Sequence, residues 1–229
     1  MERLIFLGAR AVPELTELVR DINDAEHQYE MVGILDDEVS LHGTEVEGIP
    51  VTGGLDKVSD FPDARFVFSI GSFRNRIERY EILQRLGLAD DRYATLIHPR
   101  AKVYCSATIS CGSIIHCGAV VGNGARLGRW VIVLWNAVIG ANNILGDGVL
   151  VTSNVTTNFS VNIGSYAFIG TASAIAENVT VNPGAMVSMT SLVLRDVEAG
   201  TTIFGNPPRT LSTDPVPDRV LKEWSDMVR

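Results

Sequence analysis

From Val103 onward, every sixth residue is a branched aliphatic: Ile109, Ile115, Val121, Leu127, Val133, Ile139, Leu145 and Val151. The series lapses once, at Thr157, and resumes at Ile163, Ile169, Ile175, Val181, Val187 and Val193. Two positions earlier sits a small residue in most repeats, among them Ala101, Ala107, Ser113, Ala119, Ala125 and Ala137. A period of six fits neither the 3.6 of a helix nor the 2 of a strand. It fits a parallel β-helix, in which each hexad is one flat side of a triangular coil and three hexads close a turn. Between Ala101 and Asp196 there is room for sixteen hexads, or roughly five coils. The sixth-residue aliphatic then points into the prism and stacks on its counterpart one coil on. Glycine follows it in many repeats (Gly122, Gly128, Gly140, Gly146, Gly164, Gly170), which reads as a corner with backbone angles costly for other residues. No coil buries its own core alone, and the end coils need covering, so extra structure is expected at both ends.

The residues before the repeats alternate differently. Arg3 to Gly8, Tyr29 to Leu35, Ile49 to Val51 and Arg65 to Ile70 read as short buried strands, with a helix over Pro13 to Asp21 carrying Leu15, Leu18, Val19 and Ile22 inward. A second helix, Ser72 to Leu86, places Ile77, Tyr80, Ile82, Leu83 and Leu86 inward and Arg74, Arg76, Glu78, Arg79 and Arg85 outward. This alternation predicts an α/β, Rossmann-like domain over residues 1–95. Ligands of such sheets bind at the carboxyl ends of the strands, which gathers Gly8, Ala9, Arg10, Asp36, Asp37, Gly71 and Ser72 around one crevice. Gly8-Ala9-Arg10-Ala11-Val12 is not G-x-G-x-x-G, so nothing supports a pyrophosphate laid on the first helix. Asp36 suits a ribose or base edge and equally a solvated turn; Arg10 suits a phosphate and equally a plain surface.

A formal charge of −8 without any Lys/Arg run argues against nucleic acid as a partner. No apolar run reaches membrane-spanning length, and Met1 to Arg10 lacks a signal-peptide pattern, so a cytoplasmic chain without membrane insertion is expected. Cys105, Cys111 and Cys117, six apart, fall on successive sides of a coil, which argues against a metal site. The β-helix is expected over residues 96–211. A C-terminal amphipathic helix over 212–229 follows, with Val220, Leu221, Trp224, Met227 and Val228 on one side. Asp218 is placed to cap that helix, which would pack as a cap on the β-helix or against another subunit.

Leu96-Ile97-His98-Pro99 at the junction, the hexads, and the closing Val193-Leu194-Arg195-Asp196-Val197 and Gly205-Asn206-Pro207-Pro208-Arg209 together resemble one family. It is the sialic acid O-acetyltransferase-like branch of the hexapeptide acyltransferases, with its bacillosamine and perosamine N-acetyltransferases. The resemblance implies a left-handed β-helix and a homotrimer with acetyl-CoA or another acyl-CoA held between subunits, and no metal. It also implies a nucleotide-linked sugar of surface polysaccharide synthesis as acceptor, held around Gly8, Arg10, Asp36, Asp37 and Ser72. Gly170, Thr171, Ala172 and Met189 correspond to the segments flanking the pantetheine arm, and Arg209 to a CoA-phosphate partner. The family's catalytic histidine and following acid correspond to Ala141 and Asn142; Leu150 and Phe159 also depart from the pattern. Three explanations stay open: an engineered His-to-Ala variant, a natural acyltransferase that works without the histidine, and a homologue that binds without turnover. His116, one residue after a core position, is the remaining candidate base, on what reads as a surface corner.

Overall fold

A computed structural model describes residues 1–71 and 76–228. The N-terminal sheet is built of β1 (Glu2–Leu7), β2 (Tyr29–Leu35), β3 (Glu45–Val46), β4 (Ile49–Gly53) and β5 (Ala64–Phe68) in the order β3-β4-β2-β1-β5. Its pairings are parallel except for the β3–β4 hairpin at the edge. Helix α1 (Val12–Ala25) starts with Pro13 in its first turn and buries Val12, Leu15, Leu18, Val19 and Ile22. Helix α2 spans Glu78–Leu86 and ends at Gly87 in the left-handed conformation. The first residues assigned to this helix from the sequence, Ser72 to Asn75, lie outside the described residues.

From Leu96 the chain forms two-residue strands six residues apart, paired in parallel with partners eighteen residues on, as in Val121 with Ile139 and Val133 with Val151. Three stacked sheets result, the three faces of a left-handed β-helix. The first face runs from Lys102–Val103 to Leu192–Val193, and the second from Thr108–Ile109 to Thr180–Val181. The third runs from Leu96–Ile97 to Met186–Val187 and closes with Thr201–Phe204 and the antiparallel Arg209–Thr213. The inward aliphatics from Ile115 to Val193 make one continuous buried core with the small residues two positions before them.

The corner differs from the expectation. The glycines directly after the core residue do not have positive φ; the left-handed residue comes three positions after it. Gly112, Gly118, Gly124, Trp130, Asn136, Asn142, Gly148 and their successors to Thr190 all have φ between 54° and 73°. Glycine is needed after the core residue for another reason: the next coil passes too close. A Cβ on Gly140 would lie 2.2 Å from the carbonyl oxygen of Asn158. Along one corner edge, glycine alternates with an aromatic: Gly112, Trp130, Gly148, Tyr166, Gly184. Each aromatic leans over the glycine one coil before it, where a Cβ would meet the ring at 2.4–2.5 Å.

Thr157, the lapse in the aliphatic series, is buried, and its hydroxyl accepts from Gly140 N–H (3.0 Å) and from the Asn143 side chain. Asn143, fully buried, in turn accepts from Val161 N–H at 2.8 Å. The two polar residues satisfy each other inside the prism. Thr157→Val, which would repair the repeat, is therefore expected to destabilise the fold by about 1–3 kcal/mol by orphaning Asn143. The double substitution Asn143→Ala, Thr157→Val, which also leaves Val161 N–H without its acceptor, is expected to be no more stable than Thr157→Val in urea unfolding.

The third face is covered by the N-terminal domain. Its outward residues Ile114, Ile132, Leu150 and Phe168 are buried in one cluster with Leu15 and Leu18 of α1. Arg79 and Arg76, assigned outward from the sequence, are buried instead. Arg79 donates to the main-chain oxygens of Gly148 (2.7 Å) and Trp130 (3.0 Å), and Arg76 to that of Gly184 (3.0 Å). All three acceptors are corner residues of the same edge, whose carbonyls are presented sideways by the left-handed turn.

The C-terminal helix α3 (Asp218–Met227) begins after Pro217 with no side-chain cap, so Asp218 is its first residue and not its cap. It does not close the end of the prism. Val220 joins the cluster holding Leu83 of α2 and Tyr166, and Arg219 reaches Gln84 at 3.2 Å. Among the described residues no helix is long and apolar enough to cross a membrane.

Candidate active site

The carboxyl ends of β1, β2 and β5 open into a crevice of about 450 Å³, lined by Gly8, Arg10, Glu14, Asp36, Asp37 and Gly71 among others. Gly8, Arg10, Asp36 and Asp37 are thus brought together; Ser72, the remaining candidate there, lies outside the described residues. Asp36 accepts from Ala9 N–H (2.7 Å) and Glu38 N–H (2.8 Å), so it ties the two strand-end loops to each other. Asp37 accepts from Leu55 N–H (2.9 Å) and pairs with Arg85. Partial burial works against its ionisation, yet these two partners hold its carboxyl below the usual range. Arg10 is exposed at the mouth.

Behind the crevice lies a second cavity of about 290 Å³, between α1 and the third face. Arg10, Ala11, Glu14, Ser69 and Gly71 line both spaces, so the two adjoin. Its walls are mostly apolar (Leu15, Ile114, Ile132, Leu134, Leu150, Phe168), with Arg10, Glu14, Ser69, His116 and Thr152 as polar points. Leu150, which departs from the family's pattern, is a wall of this cavity and 8% exposed.

His116 is not a surface residue: it is 3% exposed, with Nε2 at 3.1 Å from Glu14 Oε1 and its ring 4.6 Å from that of Trp135. Burial, aided by nearby His98, pushes the imidazole down to about 4, while burial pushes the Glu14 carboxyl up. The imidazole is therefore neutral at neutral pH. His98 is also buried, 2.9 Å from Asp21 and accepting from Arg100 N–H, and fastens the junction to α1.

Ala141 lies elsewhere, on the edge between the first and second faces, half-buried, and Asn142 beside it is exposed at φ 58°. Asparagine is among the few residues that accept that conformation readily, so the corner alone accounts for Asn142. Phe159, one coil on, is 59% exposed. Gly170, Thr171 and Ala172 sit on the edge between the third and first faces, with Ala172 the left-handed residue and Thr171 donating to Thr152 at 3.1 Å. Met189 is one coil further and 63% exposed. Arg209 begins the exposed closing strand and touches neither cavity lining. Within one chain, then, the Ala141 slot and the acyl-CoA candidates occupy different edges. No group of three or more metal-ligating side chains exists among the described residues.

A strand-end crevice in front of a stack of hexad coils is a two-part arrangement, and the comparisons match both parts. Residues 15–83 match the PglD N-terminal domain. The PglD-type domain and the coils together superpose on the acetyltransferase domain of PglB from Neisseria gonorrhoeae, with a TM-score of 0.77 and 28% identity, over 92% of this chain and 100% of that one. The same domain solved with acetyl coenzyme A matches at 27% identity and a TM-score of 0.77, covering 92% and 99%. The histidine-to-alanine variant of GDP-perosamine N-acetyltransferase from Caulobacter crescentus, in complex with CoA and GDP-perosamine, shares the fold (TM-score 0.78, 20% identity, 93% and 98% covered). No curated protein matches in sequence. These likenesses support the bacillosamine and perosamine acetyltransferase branch that the closing motifs resemble.

Glu14 was not singled out from the sequence. It lies on the polar flank of an amphipathic helix, where charges ordinarily face water, and only the packing of α1 on the third face turns it into a cavity. The outward apolar residues Ile114, Ile132, Leu150 and Phe168, eighteen apart, carried the signal that this face is covered.

Proposed function

We propose that this chain passes an acyl group, in the simplest case acetyl, from CoA to an amino group or hydroxyl of a nucleotide-linked sugar. The observation that carries the reading is the adjacency of the two spaces: a strand-end crevice that shares Arg10, Glu14, Ser69 and Gly71 with the cavity on the coil face. A Rossmann-like sheet binds ligands at that end, and the PglB acetyltransferase domain supports acyl-CoA as the donor. In this reading the sugar's nucleotide lies around Gly8, Arg10, Asp36, Asp37 and Ser72. The acyl-CoA lies along Gly170, Thr171, Ala172 and Met189 with Arg209 at a phosphate. A cytoplasmic homotrimer making surface polysaccharide precursors brings the Ala141 edge of one subunit to the acyl-CoA edge of another.

Ala141 offers no base, so an amine, which attacks as its free base once its proton is lost, is the favoured nucleophile, with proximity to the thioester supplying much of the acceleration. Main-chain N–H groups remain available to a developing oxyanion. A second reading, binding without turnover, also has an observation behind it. The perosamine enzyme with alanine in place of its histidine still holds CoA and GDP-perosamine, so loss of the base and retention of ligands go together in that protein.

The test is release of CoA thiol from acetyl-CoA in the presence of UDP- and GDP-linked amino sugars, for the native chain and for Ala141→His. Turnover by the native chain is the expected result. Turnover only after Ala141→His, where a base contributes about a hundred- to ten-thousand-fold, or binding with no turnover in either protein, would replace it with the binding reading.

A further inference from the structure

We propose that Glu14 and His116 form the subsite for a protonated amine on the acceptor. The inference rests on the nucleotide-sugar reading above and adds to it which groups tell an amino sugar from its hydroxyl counterpart. Glu14 lines the crevice, the apolar cavity behind it, and a third hollow of about 340 Å³ on the other side of His116. It is thus reached by a ligand that enters from the nucleotide end. Inside the cavity, aliphatic and aromatic walls supply no counter-charge, and among the described residues no Lys or Arg side chain is bonded to the carboxylate, only the imidazole beside it at 3.1 Å.

A neutral imidazole whose Nε2–H faces Glu14 Oε1 leaves the carboxylate its negative charge and its other lone pairs, the complement of an ammonium with three N–H donors. A sugar hydroxyl brings one donor and no charge. His116 is pinned between Glu14 and the Trp135 ring, and Glu17, Asp21, His98 and Cys117 line the outer hollow. Arg20 is paired with Glu17 and His98 with Asp21, so among the described residues neither of these basic groups neutralises Glu14; Arg10, which also lines the cavity, sits at the crevice mouth. Partial desolvation in a low-dielectric pocket strengthens whatever ion pair forms there.

Equilibrium binding to the whole chain separates the possibilities without requiring turnover. UDP- and GDP-linked amino sugars would be titrated beside the same nucleotide sugars with a hydroxyl in place of the amine, and beside UDP and GDP alone. The native chain is expected to bind the amino sugar of the matching nucleotide at least about tenfold more tightly than its hydroxyl counterpart. Glu14→Gln should remove that preference while leaving affinity for the nucleotide alone within about twofold. His116→Gln should reduce the preference, with thermal unfolding of both variants recorded to show that they are folded. Equal binding of the two sugars by the native chain, or a preference unchanged in Glu14→Gln, overturns the subsite and leaves acyl transfer standing. Binding of neither sugar with nucleotide alone or without it overturns the acceptor reading and the subsite together.

Discussion

Gly140→Ala is expected to lower the unfolding free energy by about 3 kcal/mol or more, although it adds a single methyl group to a half-buried position. The added Cβ would lie 2.2 Å from the Asn158 carbonyl oxygen and 2.7 Å from both the Asn158 carbonyl carbon and the Thr157 carbonyl oxygen. All three are backbone atoms of the next coil, and that coil is pinned in turn: Asn158 N–H donates to Ile175 and Gly140 N–H to Thr157. Overpacking that side chains can absorb costs about 1–3 kcal/mol, and here no side chain is available to move. Gly43→Ala is the control. Its Cβ meets nothing within 4 Å, and only its φ of 78° resists a side chain, at about 1–2 kcal/mol. Urea unfolding of the two variants separates the effects. Equal midpoints would mean that coil spacing yields more easily than its hydrogen bonds suggest.

Arg79→Ala carries the second large expected effect, again about 3 kcal/mol. Two buried carbonyl oxygens, of Gly148 and Trp130, would lose their donor at roughly 1–3 kcal/mol each, and the missing stem leaves a void beside Phe68. Part of this is offset, because the variant no longer buries a guanidinium whose Nε has no partner among the described residues and whose pKa burial pushes down to about 10. Arg79→Met, which restores volume without the donors, is expected to lie between the native chain and Arg79→Ala. An Arg79→Ala chain with the native urea midpoint would show that the apolar contacts of the third face alone hold the domains together.

The coil itself was legible because one residue type in six must be aliphatic and nothing else in a chain produces that register. The corner was misread because two glycine columns lie only two positions apart, and both look like turn residues. Gly140 is there for the neighbouring coil and Gly148 for its own φ, and composition does not separate those causes. The arginines of α2 were misassigned because an amphipathic reading sends charge to water, whereas Arg76 and Arg79 find their partners among carbonyls far away in sequence. For the same reason His116 read as a surface residue: its burial is the work of α1, a hundred residues earlier. Asp36 was the even case, and in the folded chain its carboxylate is occupied by Ala9 and Glu38, which accounts for it without any ligand.

Carbonyls of the main chain cannot be mutated away. Because Arg76 and Arg79 hold the coils by such oxygens, the side chains at Trp130, Gly148 and Gly184 are free to vary under other constraints without loosening the grip. The grip also counts coils: its acceptors at 130, 148 and 184 are one and two turns apart, so the N-terminal domain engages the stack at one setting, as a toothed key engages its wards. A slip by one coil would leave at least one arginine facing a different corner. The separation between the crevice and any point on the coils is therefore a built-in length, and a ligand that spans both halves is measured against it.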